Sequence, residues 1–446
     1  MNGPVVHATD TEERLPLDAS DREHAAKRSR TAIGEIFRAH RRAFMSRLGD
    51  RLSGARKRVL HAIADCRTRA LGGHVDRCID CRFTDVSYNS CRNRHCPTCL
   101  SHKAADWLEA RRRELLPIAY FHVVFTLPAE IAALALGNKK VVYGILFKAA
   151  SATLHEVARD PRFLGAEIGF LAILHTWNQV LGHHPHLHCI VPGGGLSMGG
   201  QTWIPTKPNF LFPVRLLSKV FARHFLRLLR MAYRDDQLRL QGSMAHLQSK
   251  DGFSRFSRAM RRKAWVVYSK PPFGSPEQVL KYLARYTHRV AISNARIVSY
   301  DDEQVTFRYR DSANGNEKRL MTLPVHEFMR RFLLHALPKG FVRIRSFGFL
   351  AHAQRHEKLA ICRAAIARQA SGRTDELPPP VDAGPAHGHP SVEDEDPLTD
   401  LRRRSRHCPR CATGAMVHIQ EFGVSYIRHR RIRRVWRPPR PPALPS

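Results

Sequence analysis

Five cysteines fall within residues 78–99, and their spacing constrains the fold more than any other feature of the chain. Cys78 and Cys81 form one Cys-x2-Cys pair, and Cys96 and Cys99 form a second. Two such pairs bring four thiolates to one tetrahedral Zn²⁺, because each pair turns back and offers both sulfurs to the same ion. A segment this short has little apolar core, so the metal would supply much of its folding free energy. We therefore expect a structural zinc site formed by these four cysteines.

Other residues leave the ligand set open. Cys91 and His95 lie between or beside the two pairs and could replace one of the four cysteines. A separate Cys-x2-Cys pair, Cys408 and Cys411, offers only half of a zinc site. The zinc could also be purely structural, so that it only stabilises the neighbouring domain and its module makes no contact with DNA.

The charge of the chain points to a polyanionic partner. Its 446 residues carry 73 Lys and Arg against 39 Asp and Glu, which leaves a formal net charge of +34. Such an excess repels itself unless a polyanion neutralises it, and the commonest one is nucleic acid. Arg92 and Arg94, beside the cysteines, are suited to phosphate contacts. We therefore expect the chain to bind DNA.

Membrane insertion and secretion are not expected. The longest apolar runs, such as residues 168–174, are much shorter than the roughly 20 residues that a membrane span needs. The first twenty residues are polar and acidic and contain no apolar segment of the kind found in secretory signals. The sequence thus predicts a cytoplasmic protein.

The pattern of elements predicts an α+β protein. Strand-like runs cover 120–126, 168–177 and 186–191, and an amphipathic basic helix is expected over 214–234. Residues 296–300 and 305–310 resemble a hairpin. Because the strands and helices lack a regular βαβ alternation, we expect a mainly antiparallel central sheet flanked by helices.

Composition divides the chain into five segments. A helical zinc-binding module is expected to precede the α+β domain, and a Pro- and acid-rich linker to follow it. The expected segments are a disordered leader 1–30, a helical zinc-binding and DNA-binding module 31–115, an α+β domain 116–370, a flexible linker 371–400 and a basic Pro/Arg-rich tail 401–446 with the lone Cys-x2-Cys pair.

Two histidines on one predicted strand form half of a metal site. His186 and His188 are two residues apart, so their side chains share one face of the strand. Two imidazoles on one face favour a role in binding a divalent ion over the role of ordinary surface or core histidines. A third ligand is needed, and the spacing alone does not select it from the nearby candidates His175, Gln179 and His183.

A helix with two tyrosines follows later in the chain. Ser275 with Pro276 has the residue types of a helix start, and Tyr282 and Tyr286 are four residues apart, so both hydroxyls project from one face. A tyrosine is a covalent nucleophile when its phenol is deprotonated in the attack. By themselves the two rings would more often be core packing. The histidine pair and the basic neighbours suited to DNA together favour a reactive pair; these neighbours are Lys281, Arg285 and Arg289.

Three stretches in this order, YNSCRNRHCPTC, HPHLHCIVPGGG and KYLARYTHRVAISN, resemble the IS91-type transposases. These are two-tyrosine members of the HUH endonuclease superfamily, and the resemblance covers roughly residues 55–365. It implies a nuclease domain of HUH type after the zinc module. His186 and His188 would bind a catalytic Mg²⁺ or Mn²⁺, and Tyr282 and Tyr286 would be the tyrosine pair.

The resemblance also implies a mechanism. A tyrosine would attack single-stranded DNA at the ends of a mobile element, leaving a 5′-phosphotyrosine and a free 3′-hydroxyl that later rejoins a target strand. Two alternatives stay open. A rolling-circle replication initiator or relaxase would share the histidines and a tyrosine, and a non-catalytic zinc-finger regulator would share the charge and the cysteines.

Overall fold

The computed structural model describes residues 33–273, 275, 278–279, 282–283, 291–311, 314–371 and 407–423, and gives no side chains for 100–106 and 271. The chain divides into two compact units. The large unit consists of Met1–Ala64 and Arg92–Leu398, and the small unit consists of Asp65–Cys91 and Thr399–Ser446. The expected leader, all but the first residue of the expected linker, and most of the expected tail lie outside the described residues.

The helices and strands account for most of the described residues. In chain order the helices are α1 Ile33–Leu48, α2 Gly54–Asp65, α3 Pro97–Arg112, α4 Ala129–Gly137, α5 Lys139–Arg159, α6 Val214–Arg234, α7 Lys250–Arg262, α8 Val325–Leu334 and α9 Arg355–Ser371. The strands are β1 Gly73–Cys78, β2 Thr84–Tyr88, β3 Tyr120–Thr126, β4 Ala166–Glu167, β5 Phe170–Trp177, β6 His183–Pro192, β7 Gly194–Ser197, β8 Trp203–Pro205, β9 Val267–Phe273, β10 Ile297–Tyr300, β11 Gln304–Asp311, β12 Glu317–Pro324, β13 Ile344–Phe347 and β14 Met416–Phe422.

A five-stranded sheet with the order β13-β5-β6-β3-β9 is the centre of the large unit. Every pairing in it is antiparallel. Two three-stranded sheets, β10-β11-β12 and β4-β7-β8, accompany it. The described part of the chain is therefore the α+β fold with a mainly antiparallel sheet that the sequence predicts.

The two faces of the central sheet differ, because side chains alternate along each strand. Phe121, Val123 and Phe125 of β3 are buried against α4, α5 and α6 in the main apolar core. His122 and Val124 project from the opposite face. A second apolar cluster covers part of that face and includes Leu108 of α3. The sheet thus separates a large apolar core from a face that carries polar side chains.

The helix α6 illustrates how amphipathic patterning fixes one layer. Its bounds, Val214–Arg234, are those that the sequence predicts. Leu217, Phe221 and Phe225 are buried under the sheet, and the Phe125 and Phe221 rings lie 4.9 Å apart, whereas its arginines face outward. No helix within the described ranges combines the length and the apolar character that a membrane crossing requires.

The small unit contains a three-stranded antiparallel sheet in the order β14-β1-β2. Gly73 of β1 is paired with Tyr88 on one side and with Phe422 on the other. The residues after 400 were expected to form a separate tail, but Met416–Phe422 is a strand paired with β1. The sequence did not show this pairing, because a short polar strand far along the chain carries little signal for its partner.

Candidate active site and metal centre

Three histidines converge on the polar face of the central sheet. His175 of β5 is paired with His186 of β6, and His188 follows two residues later on the same face. One ring nitrogen from each of the three lies within 4.8 Å of the others. The antiparallel register thus places His175 beside the predicted pair, and it is the candidate third ligand that joins it.

The protonation of these histidines suits metal binding. Nδ1 of His186 donates to the carbonyl oxygen of His184 at 2.7 Å, so Nε2 carries the lone pair. Burial lowers the pKa of His186 to about 4 and the pKa of His188 well below its ordinary value. Neutral imidazoles are the form that ligates a metal ion. Three imidazole donors suit softer divalent ions better than Mg²⁺ or Mn²⁺. They would still leave coordination positions on the ion that phosphate oxygens could fill.

His183, another candidate ligand, has a different partner. Its Nε2 lies 2.8 Å from the hydroxyl of Tyr143 in a hydrogen bond. Tyr143 is fully buried in the main apolar core. His183 therefore anchors the start of β6 to α5, while the side chain of Gln179, the remaining candidate, is exposed.

Tyr282 faces the histidines from a helical turn. Ser275 begins this turn, because its Oγ accepts a hydrogen bond from the backbone N–H of Gln278 at 3.4 Å, which confirms the predicted cap. Val279 and Leu283 are buried in the apolar cluster on the polar face of the sheet. Tyr282 packs against the same cluster, and this anchoring directs its hydroxyl toward the strands.

The hydroxyl of Tyr282 reaches two imidazoles at once. It lies 2.7 Å from Nε2 of His122 and 2.8 Å from Nδ1 of His188. The same two ring nitrogens are 2.8 Å from each other, and the two rings are parallel with centroids 5.1 Å apart. A phenol, a histidine of the candidate metal group and a further histidine thus form one hydrogen-bonded triangle.

Sequence reasoning missed His122. It stands alone among the apolar residues of β3, where a single histidine usually indicates a satisfied core residue. Its one sequence signal is the alternation of β3, which places it on the face opposite Phe121 and Val123. Burial and, next, the charge of Lys270 lower the pKa of His122 to about 3, so the ring is neutral at physiological pH.

The remaining predicted DNA contacts have different outcomes. Tyr286, Lys281, Arg285 and Arg289 lie outside the described residues. Arg92 is exposed. Arg94 donates to the backbone carbonyls of Pro338, at 2.7 Å, and of Phe341. Its guanidinium therefore holds the segment after α8 in place, a structural role that differs from the expected phosphate contact.

The small unit holds a group of four cysteines. The sulfurs of Cys78, Cys81, Cys408 and Cys411 all lie within 4.8 Å of one another. The Sγ atoms of Cys78 and Cys411 are 3.7 Å apart, and those of Cys81 and Cys408 are 3.5 Å apart. A tetrahedral Zn²⁺ with bonds of about 2.3 Å places its sulfurs about 3.8 Å apart, so the group has the dimensions of a zinc site.

The backbone also fits thiolate ligands. The N–H of Arg410 points to Sγ of Cys408 at 3.4 Å, and the N–H of Gly414 points to Sγ of Cys411 at 3.3 Å. The hydrogen bond from Gly414 lowers the pKa of Cys411 to about 6. A Cβ at Gly414 would stand 2.3 Å from Sγ of Cys78, so only glycine fits there.

This group corrects the expected ligand set. Cys78 and Cys81 were expected to meet Cys96 and Cys99, whose spacing is local, but pairing of β14 with β1 brings Cys408 and Cys411 to them instead. Cys96 and Cys99 belong to the large unit, at the start of α3, with their sulfurs within 4.8 Å of each other.

His95 and Cys91, the other candidate ligands, take separate positions. His95 is buried in the large unit, its Nδ1 lies 3.1 Å from Oδ1 of Asn93, and its Nε2 accepts from the N–H of Leu337 at 3.0 Å. Both ring nitrogens of His95 are therefore in use. Cys91 belongs to the small unit, where its sulfur is within 4.8 Å of that of Cys66.

Comparison with known proteins gives the family. A family model described as "Putative transposase" matches residues 169–358, and a model of a transposase zinc-binding domain matches residues 36–127. The protein "Putative transposase y4qJ" of Sinorhizobium fredii is 48% identical over 396 residues, which cover 89% of this chain and 96% of that protein. The "Transposase for insertion sequence element IS801" of Pseudomonas savastanoi pv. phaseolicola is 26% identical over 318 residues, which cover 70% of this chain and 74% of that protein.

This chain belongs to the IS91 family of transposases. The predicted family and its zinc-binding domain are thereby confirmed. The region matched by the transposase model contains β5, β6 and Tyr282, so the three histidines of the candidate metal group and Tyr282 lie within it. His122 precedes that region and lies in the part matched by the zinc-binding model.

Proposed function

We propose that this IS91-family transposase cuts and rejoins single-stranded DNA through a phosphotyrosine formed on Tyr282. The observation that carries the proposal is the position of the Tyr282 hydroxyl, 2.7 Å from His122 and 2.8 Å from His188. A phenol is a weak nucleophile until an adjacent base removes its proton. A neutral imidazole at hydrogen-bond distance can accept that proton, and the negative charge of a bound phosphate would raise the pKa of His122 above its low value in the free protein.

The chain's own residues account for the proton and the bonds. As the phenol oxygen of Tyr282 bonds to phosphorus, its proton passes to Nε2 of His122. The bond between phosphorus and the 3′ oxygen breaks, and that oxygen leaves with the electron pair and takes a proton from water. The products are a 5′-phosphotyrosine and a 3′-hydroxyl. Attack by a 3′-hydroxyl on the phosphotyrosine reverses these changes and rejoins a strand without ATP.

Electrostatics on this face favour a bound phosphate. His175, His186 and His188 would hold the divalent ion. When bound, Mg²⁺ or Mn²⁺ polarises the scissile phosphate and stabilises its negative charge. Lys270 of β9 is paired with His122 across the strands, and its charge acts on His122 and His188. These groups orient the phosphate while Tyr282 supplies the attacking oxygen.

A second tyrosine would allow two DNA strands to be exchanged. Tyr286, four residues after Tyr282, would hold a second strand end, so that one protein exchanges element and target strands. The substrates we propose are therefore the single-stranded ends of the mobile element and a target strand. A replication initiator or relaxase would cut but would not join an element end to an unrelated target.

The test is a covalent adduct. Labelled single-stranded DNA from the element's ends is incubated with the protein and Mn²⁺ or Mg²⁺, and the label is followed in a denaturing gel. We expect an adduct from the wild-type protein and from Tyr309→Phe, and none from the Tyr282→Phe, Tyr286→Phe double variant. An adduct from the double variant would refute the nucleophiles. Joining of the cut end to an unrelated strand would distinguish a transposase from a nickase. The absence of any adduct with the wild-type protein would favour a non-catalytic DNA-binding regulator.

For the small unit we propose one structural Zn²⁺ held by Cys78, Cys81, Cys408 and Cys411. Their sulfur separations and the N–H groups directed at two of the sulfurs support this ligand set. The sheet around them is small, so metal binding would contribute much of its folding free energy.

A further inference from the structure

A basic groove lies between α6 and α7 in the large unit. Its volume is about 300 Å³. Five cationic residues line it, namely Arg230, Arg234, Lys250, Arg258 and Arg261, and all five are exposed. No carboxylate belongs to the lining, and within the described residues none of the five makes a salt bridge. In the part of the chain that the structure describes, these five charges therefore have no ion-pair partner.

A buried hydroxyl lies in the wall of the same groove. Ser257 of α7 is 8% exposed, and its Oγ has no hydrogen-bond partner among the described residues. A buried polar group without a partner is costly and rare, and it usually indicates a ligand or water. A hydroxyl donor in the lining of a groove that also carries guanidinium groups is suited to an oxyanion such as a phosphate.

The two aromatic residues that line the groove are packed against each other. These residues are Tyr233 and Phe253, whose rings are stacked with centroids 3.8 Å apart and an angle of 8°. Phe253 is buried, and the hydroxyl of Tyr233 donates to the carbonyl of Gln248 at 2.9 Å. Single-strand binding surfaces usually stack bases on aromatic side chains. Contacts here would instead go to the phosphate backbone.

The sheet separates this groove from Tyr282. α6 packs through Phe221 against Phe125, on the face of β3 opposite His122. The arginines project from the outer side of that helical layer. A DNA segment in the groove would therefore be distinct from the segment bound at the histidines.

We infer that the groove between α6 and α7 binds the phosphate backbone of double-stranded DNA, as a second DNA contact separate from the strand cut at Tyr282. The exposed cations without an ion-pair partner among the described residues, the unpartnered Ser257 hydroxyl and the mutual stacking of the two aromatic rings all favour a duplex bound by its phosphates. The inference goes beyond the proposed chemistry and relies on it only for the choice of DNA as partner.

The experiment measures the salt dependence of binding. The full-length protein is titrated against a labelled 30-base-pair duplex by fluorescence anisotropy at several KCl concentrations. The test variant carries Arg230→Gln, Arg234→Gln, Arg258→Gln and Arg261→Gln. If each arginine neutralises one phosphate, the log–log slope should become shallower by about 3 to 4. An unchanged slope would overturn the inference.

A matched control removes charge from the same helices outside the groove. The variant with Arg215→Gln, Arg227→Gln, Arg255→Gln and Arg262→Gln has the same net charge as the test variant. It should keep a slope within about 1 of the wild-type value. An equal change of the salt slope in both variants would mean that net charge alone determines duplex binding. A loss of affinity restricted to single-stranded DNA or to anionic phospholipid vesicles would also refute the duplex site.

Ser257→Ala tests the hydroxyl without a change in charge. We expect duplex affinity to fall about tenfold, as for one hydrogen bond to a charged group, with an unchanged salt slope. Far-UV circular dichroism checks that each variant is folded. Adduct formation on a short single strand is measured in parallel, and it should stay within twofold of wild type in the groove variants. If the wild-type protein formed no adduct, the proposed chemistry at Tyr282 would be refuted, and the salt-slope test of the groove would remain valid.

Discussion

Nε2 of His122 lies 2.7 Å from the hydroxyl oxygen of Tyr282, which joins a residue of β3 to a helical turn 160 positions later. The contact gives the buried imidazole a role other than core packing. It also places a candidate proton acceptor beside the proposed nucleophile, whose hydroxyl contacts His188 as well.

We expect His122→Ala to slow adduct formation by about 10²–10⁴-fold, because general bases contribute factors of this size. Affinity for single-stranded DNA should change less than twofold. The rate is measured in single-turnover reactions, with His155→Ala, a histidine of α5, as the control. A rate equal to wild type would remove His122 from the proton transfer.

His175→Ala should reduce metal-dependent cleavage at least 100-fold, since the proposed site would lose one of three protein ligands. Raising the Mn²⁺ concentration should restore part of the rate. His184→Ala is the matched control, because its side chain is exposed and its backbone carbonyl, which fixes His186, is retained. Equal rates for both variants would show that the histidine group is structural.

Cys408→Ser should release zinc and increase hydrogen exchange in β1 and β2, as the proposed metal would lose a ligand. Gly414→Ala should do the same, because its Cβ would stand 2.3 Å from Sγ of Cys78. Elemental analysis is expected to show one zinc ion fewer per chain in both. Cys362→Ser, a buried cysteine of α9 outside the cysteine groups, should keep the wild-type content, and full retention of zinc by Cys408→Ser would contradict the ligand set.

Stability should decline as the pH falls below about 6.5. His335 is buried between Thr176 and the carbonyl of Leu181, and burial lowers its pKa to about 3. In the unfolded chain its pKa is about 6.5, so between these values only the unfolded state gains a proton. Protonation of this group in the unfolded chain should lower the free energy of unfolding by about 2 kcal/mol between pH 7 and pH 5. Urea titrations at both pH values should show a weaker dependence for His335→Gln; an unchanged dependence would argue against this assignment.

Much of the large unit was predictable because its signals are local. The strand Tyr120–Thr126 and the helix Val214–Arg234 have the predicted bounds, since alternation and helical periodicity extend over their whole length. The hairpin near Asp301 and the cap at Ser275 depend on turn and cap chemistry within a few residues. His186 and His188 share a face for the same local reason.

The features that were missed depend on contacts between distant parts of the chain. The selection of His175 needs the register of β5 against β6, and the role of His122 needs the position of a helix 160 residues away. The cysteine spacing favoured a local zinc site, because Cys96 follows Cys81 closely. Antiparallel pairing of β1 with β14 overrides that preference, and no periodicity reveals a partner so remote.

The separation of the two halves of the cysteine group has a consequence for biosynthesis. Cys81 and Cys408 are 327 positions apart. At a synthesis rate of roughly 5–20 residues per second, the first half waits on the order of 20 s to 1 min for the second. Throughout this interval two thiols are exposed to oxidation or to the wrong ion. A fragment limited to residues 36–127, the span that the zinc-binding model matches, would remain in that incomplete state permanently.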